Sequence, residues 1–260
     1  MRFLMLGDAV GRPGRNVIRT ELPDLRREKE IDVVILNGEN AAGGSGITVK
    51  VMNELFGLGI DVITSGNHIW KNREIYACLE REPRLLRPAN YPPSAPGSGL
   101  GVYEAGGVKF AVINLLGRHN LEEVDCPFRK ADELLASLAA EVKIILVDFH
   151  AETSSEKKAL GWFLDGKVSA VAGTHTHVQT NDAQLMPQGT GYLTDLGMCG
   201  VEQSVLGLDP HIVVARFIHR LPGKFKLAEG PLWMCGAIFD IDMANGRCNS
   251  VELVRLAGKS

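Results

Sequence analysis

The 260 residues carry a formal net charge of −3, with 45% hydrophobic and 23% charged side chains. That is the make-up of an ordinary folded soluble protein, and its mildly acidic balance argues against a broad nucleic-acid surface while leaving a small nucleotide substrate open. Five widely spaced cysteines, with no Cys-x-x-Cys pair among them, argue against a disulfide framework or zinc ribbon and point to a reducing cytoplasm.

In chain order, the N-terminal "MRFLMLGDAVG" has an apolar run too short for a signal peptide and turns at once into Gly and Asp, so residues 2–8 read as a strand. Residues 14–29 carry apolar positions at helical spacing, with Pro23 expected to kink or divide the helix. "DVVILNGEN" (32–40) and "DVITSGNH" (61–68) repeat the form of the first strand, an apolar run ending in a polar cluster. Helices are expected at 47–58 and 72–80, and a Pro/Gly/Ser-rich loop at 88–99. "GVYEAGGVKFAVINL" (101–115) reads as a hairpin turning at Gly106-Gly107. Helices at 129–141 and 154–163 flank the strand "KIILVDFH" (143–150), and "VSAVAGTHTH" (168–177) is another strand with a polar end. A second hairpin is expected over 183–195. From His211 onward the chain reads as strand after strand, with turns at 222–223 and 245–246. The apolar strand 233–241 is expected to bury against a partner subunit or to close the second sheet. Neither repeats nor a run of about 20 apolar residues suited to a membrane helix interrupt the pattern. Strand-helix alternation mixed with hairpins predicts an α/β fold, α+β mixed in detail, built as a mixed sheet or as two packed sheets with helices outside rather than as a simple doubly wound sheet. A single domain over 1–260 is expected.

The strand ends, set side by side, present Asp8, then Glu39 and Asn40, then Asn67 and His68, then His150, then His175 and His177. Each alone has an ordinary structural explanation. Asp8 could cap a helix or fill a turn, Asn-Gly before Glu39 could be a hairpin turn, and Asn67 could cap the next helix. His150 alone would most simply be a hydrogen-bonded core residue. The His-x-His pair is more specific, because residues i and i+2 of an extended chain share a face. Together they form a carboxylate, amide and imidazole set without thiolates, which suits Mn, Fe or Zn. Eight such residues exceed the needs of one ion, and two ions about 3.5–4 Å apart with a bridging carboxylate would use them well.

The series "GD", "GEN", "GNH", a strand ending in His, and "GTHTH" resembles the calcineurin-like metallophosphoesterases. Two departures, Val10 where a ligand histidine is usual and Glu39 in place of the bridging aspartate, make the chain similar to the YmdB-like branch, together with "NGENAAGG", "TSGNHIW", "GDAVGRPGR" and "TDLGMCG". The resemblance covers nearly the whole chain and implies a four-layer αββα sandwich of two mixed sheets. It implies one metal held by Asp8, Glu39, Asn40 and His177, and another held by Glu39, Asn67, His150 and His175, with Glu39 bridging. Asn40 would stand in for the absent histidine, and this harder amide ligand favours iron or manganese over zinc, which remains possible. His68 is expected to face the cleft as general acid rather than ligand.

The expected chemistry is hydrolysis of a phosphodiester by a metal-bridging hydroxide, with His68 protonating the leaving oxygen. The resemblance favours 2′,3′-cyclic nucleotides as substrates. Two alternatives stay open: a phosphomonoesterase on the same site, and a regulatory protein that holds a nucleotide or RNA end with little turnover. Arg118 could touch phosphate or be a surface loop residue. His119, His211 and His219 match no motif, and Thr176 and Gln179 could shape the rim. "GDAVGRPGR" lacks the spacing of a P-loop or a dinucleotide fingerprint. Homo-oligomerisation is expected from base rates.

Overall fold

The computed structural model describes residues 1–259. One sheet contains β1 (Arg2–Leu6), β2 (Asp8–Ala9), β3 (Val33–Asn37), β4 (Val62–Thr64), β11 (Met198–Val201), β12 (Leu232–Ile241) and β13 (Cys248–Ala257). Its order is β2-β11-β12-β1-β3-β4, with β13 also paired to β12. The other contains β5 (Leu100–Ala105), β6 (Val108–Leu116), β7 (Ile144–His150), β8 (Ala170–Thr174), β9 (Gln184–Leu185) and β10 (Gly191–Leu193), in the order β5-β6-β7-β8-β10-β9. β1, β3 and β4 run parallel, as do β6, β7, β8 and β10, while hairpins and β12 add antiparallel pairings. Both sheets are therefore mixed.

The layers follow from the period of two along each strand. Phe3, Met5, Val33 and Ile35 face inward and meet Phe110, Val112, Ile144 and Leu146 of the other sheet. Leu4, Leu6, Val34 and Leu36 face outward onto α1 (Gly11–Glu28) and α2 (Val49–Gly57) through Ile18, Leu22, Met52 and Leu55. On the far side, Ile145, Val147 and Phe149 pack on α4 (Pro127–Ser137) and α5 (Ser154–Leu164) through Ala131, Leu160 and Leu164. Strands buried on both faces read as unbroken apolar runs, which is how "FLML", "VVIL" and "IILV" appear. The result is the four-layer αββα sandwich.

Four local expectations are corrected. α1 runs unbroken through Pro23. A proline there removes one intrahelical hydrogen bond, but Val17, Ile18, Leu22 and Leu25 remain buried along one face and hold the helix together. Residues 72–80 form a 3₁₀ turn (Arg73–Ile75) and the short α3 (Tyr76–Leu79) rather than one helix. The region after His211 is not a strand: α6 (Pro210–His219) opens there. Asp209 caps it by accepting from the His211 N–H at 2.9 Å, and Pro210 takes the first turn, where its missing N–H costs nothing. The β-branched run Ile212-Val213-Val214 masked that start signal. β12, which covers 233–241, neither closes the second sheet nor lies at the surface. It runs between β1 and β13 in the sheet of the N-terminal strand.

Candidate metal centre

The C-terminal ends of β1, β3 and β4 meet those of β7 and β8 at one edge of the sandwich. Buried Asp148 ties them, accepting from Asn37 Nδ2 at 3.1 Å, from Thr174 Oγ1 at 2.7 Å and from the Thr64 hydroxyl. All eight strand-end residues singled out in the sequence come together here. Asp8, Glu39, Asn40 and His150 are buried, with Asp8, Glu39 and His150 fully so. Asn67 and His68 open a 3₁₀ turn (Asn67–Lys71). It approaches so closely that a Cβ on Gly66 would strike the His150 ring and the Glu39 carboxylate.

The hydrogen-bond partners of three histidines place a proton on one ring nitrogen of each and turn the other into the cleft. His177 Nδ1 lies 3.0 Å from the Leu206 carbonyl, which can only accept, so Nδ1 carries a proton and Nε2 is the nitrogen turned to Asp8 Oδ1 at 3.6 Å. His175 Nε2 lies 2.9 Å from the Glu152 carboxylate, leaving Nδ1 to face His150 Nε2 at 3.0 Å. His150 Nδ1 donates to Thr174 Oγ1 at 2.9 Å, whose own proton goes to Asp148. His150 Nε2 then faces Glu39 Oε1 at 3.3 Å. Ligating histidines hold their second nitrogen in this way.

Donor atoms of Glu39, His150 and His175 thus lie within 4.8 Å of one another. A proton on His150 Nε2 lies between Glu39 Oε1 and His175 Nδ1, at the position a cation would take. Asn67 Oδ1 is buried with no hydrogen-bond partner, a costly arrangement for an isolated amide oxygen. This donor set fits a hard or borderline divalent ion. At the other end of the cleft, Asn40 Nδ2 sits among Asp8 Oδ1 (3.4 Å), Glu39 Oε1 (3.2 Å) and His177 Nε2 (3.1 Å). Its N–H donors occupy the place where those acceptors converge, and a half-turn of the amide would bring Oδ1 there instead.

The electrostatics follow from two buried carboxylates. Burial pushes Asp8 and Glu39 up, but His177 outweighs it for Asp8, and His150 with His68 outweighs it for Glu39. Asp8 lies below its ordinary range and Glu39 well below. Burial pushes His150 down, yet Glu39 and Asp8 raise it to about 9. Burial and the neighbouring His150 push His175 down to about 4. The cleft is a strong sink for positive charge.

His68 stands at the rim. Its backbone N–H donates to Glu39 Oε2 at 2.9 Å, and its Nδ1 is 2.7 Å from Asn40 Oδ1 and 3.1 Å from Glu39 Oε1. Arg118 and His119 lie in an exposed turn whose N–H groups donate to Glu156. His211 and His219 are on α6, with exposed side chains. Gln179 donates to the Gly236 and Val254 carbonyls, so it anchors backbone. Thr176 is tied to Asp195. Sequence reasoning missed the supporting residues Asn37, Asp148, Glu152 and Thr174. Asp148 carried a signal, since it stands two residues before His150 on the same strand face.

This sandwich, with its site at the strand ends, is the metallophosphoesterase type. A putative 5′-nucleotidase from Staphylococcus aureus shares the fold at a TM-score of 0.63 and 13% identity, the alignment covering 100% of this chain and 55% of that one. The family model of the YmdB-like proteins matches residues 4–254, and the chain belongs to that family. It is 46% identical over 254 residues to the 2′,3′-cyclic-nucleotide 2′-phosphodiesterase of Bacillus subtilis (strain 168), covering 98% of this chain and 96% of the relative. A crystal structure described as a novel phosphatase of Mycoplasma pneumoniae superposes with a TM-score of 0.94 at 33% identity, covering 99% of this chain and 94% of the other.

Proposed function

We propose that this chain is a metal-dependent phosphodiesterase, acting on 2′,3′-cyclic nucleotides or similar small phosphodiesters at a dinuclear centre. The observation that carries this reading is the convergence of the Glu39, His150 and His175 donor atoms, together with the buried, unpartnered Asn67 Oδ1. The name of the 46%-identical relative points the same way. One ion would be held by Asp8, Glu39, Asn40 and His177, and the other by Glu39, Asn67, His150 and His175, with Glu39 shared. Iron or manganese suits the amide-containing set best, with zinc as a further candidate.

When bound, such a pair supplies positive charge for the phosphoryl oxygens and makes water acidic enough to attack near neutral pH. The chain's own residues do the rest. Asp148, Thr174, Glu152 and Leu206 hold the imidazoles in one orientation each, so little rearrangement is needed as charge develops. His68 keeps Nδ1 on Glu39, leaving Nε2 to give a proton to the departing oxygen.

Five free thiols accord with a reducing cytoplasm, and among the described residues no helix is long and apolar enough to cross a membrane. A homo-oligomer is supported by the exposed Phe217, Ile218 and Leu221 near the end of α6. A monomer mass by light scattering would end that part of the reading.

The test is hydrolysis of an aryl phosphodiester against an aryl phosphomonoester, with elemental analysis of the same sample, followed by a cyclic-nucleotide panel. Preference for the diester with two ions per chain is expected. Preference for the monoester would turn the reading to a phosphomonoesterase on the same site. Nucleotide binding without turnover would turn it to a regulatory binding protein.

A further inference from the structure

Beside His177 a recess of about 230 Å³ opens between the loop after β8, the start of β12 and the end of β13. Val178, Met198, Glu202, Leu206, Trp233 and Arg255 form its walls. The Arg255 guanidinium lies 3.9 Å from the centroid of the Trp233 ring, and Glu202 stands 3.9 Å from Arg255. Val178 and Leu206, both apolar, are 59% and 44% exposed at this place. Leu206 also holds a left-handed backbone conformation, with φ 56°. Its carbonyl is the acceptor that fixes His177 Nδ1, so one strained residue both orients a site histidine and presents its side chain to the recess.

We propose that this recess receives the nucleobase of the substrate. The inference rests on the phosphodiesterase reading above and adds where the base of a cyclic nucleotide is recognised. A flat heterocycle fits the walls by chemistry. Indole and guanidinium both offer planar surfaces on which bases stack. Arg255 supplies donors and Glu202 accepts from a ring N–H or an exocyclic amine. Val178 and Leu206 cover apolar edges. An anionic group is disfavoured, because Glu202 offsets the charge of Arg255. The volume suits one base rather than a length of strand. Contact with His177 puts the recess directly against the phosphate site, which is where the base of a small nucleotide must lie.

The test compares two cyclic phosphodiesters, a nucleoside 2′,3′-cyclic phosphate and glycerol 1,2-cyclic phosphate, which has no base. The readout is the ratio of their kcat/KM values. Trp233→Ala is expected to lower that ratio about tenfold, through KM of the nucleotide rather than kcat, in line with the strength of base–aromatic stacking. Arg255→Ala changes a solvent-exposed side chain, does not endanger folding, and is expected to lower the ratio in the same direction. Calorimetric binding of a nucleoside 3′-monophosphate should exceed that of inorganic phosphate in the wild-type protein, and Trp233→Ala should remove most of the excess. A ratio within twofold of wild type in both variants overturns the base site. Wild-type protein that cleaves neither diester overturns the phosphodiesterase reading instead.

Discussion

His68 and Glu39 touch one another, yet their substitutions should differ in whether metal is kept. His68 is a rim residue whose ring is anchored by Asn40 and Glu39. His68→Ala is expected to keep both metals and lose at least about a hundredfold in kcat, the scale of general-acid contributions. Metal loss in that variant would make His68 a ligand. Glu39→Gln is expected to lose metal and activity together, because one carboxylate would serve both ions. A fully active variant with two ions bound would overturn the bridging role. Away from the site, Asp182 makes a prediction about acid. Burial pushes its carboxyl up, but Lys158 and Thr194 outweigh this and hold it at about 2. A depressed carboxylate pKa stabilises the fold above the ordinary value of about 3.9 and loses that contribution as pH falls through about 2. Asp182→Asn should therefore show a smaller loss of stability between about pH 4 and about pH 2 than wild type in urea unfolding. Equal losses would contradict the pairing.

The histidine loop after β8 is held from α5. Lys157, buried, places Nζ 2.6 Å from Asp195 Oδ2, and that same oxygen accepts from the Thr176 N–H and hydroxyl. Lys157→Met leaves Asp195 charged and unpaired in the interior, and is expected to destabilise the protein by about 3–5 kcal/mol. A change below about 1 kcal/mol in denaturant unfolding would show that Asp195 has another partner. How much of this was legible varies with the kind of signal. Strands β1, β3, β4, β7 and β8 were plain in the sequence, because strands covered on both faces are continuous apolar runs with polar ends. Their ends gave away the cleft for the same reason. α6 was hidden: its β-branched run mimics a strand, and the Asp209-Pro210 cap was the weaker cue. Pro23 misled in the other direction, since the burial that keeps α1 continuous is a tertiary effect. The Lys157–Asp195 pair, 38 residues apart, and the Glu152 partner of His175 depend on how the loops fold back, and no local pattern announces them.

The ligand-type residues divide between the two sheets. Asp8, Glu39, Asn40 and Asn67 lie beyond the ends of β1, β3 and β4 in the first, while His150 ends β7 and His175 and His177 follow β8 in the second. Metal bound here would join the halves of the sandwich, so its binding energy would add to the stability of the whole fold. With free metal a thousandfold above its Kd, the added stability is about 4 kcal/mol. Chelation is expected to lower the Tm of wild type and to leave Glu39→Gln, already depleted, nearly unchanged. An unchanged wild-type Tm would mean that the cleft binds no ion or that the sheets do not share it. Anomalous scattering from crystals of the metal-loaded protein decides the matter most directly. Two peaks flanking Glu39 are expected, one bounded by Asp8, Asn40 and His177 and the other by Asn67, His150 and His175. A single peak, or peaks away from these side chains, would contradict the dinuclear centre.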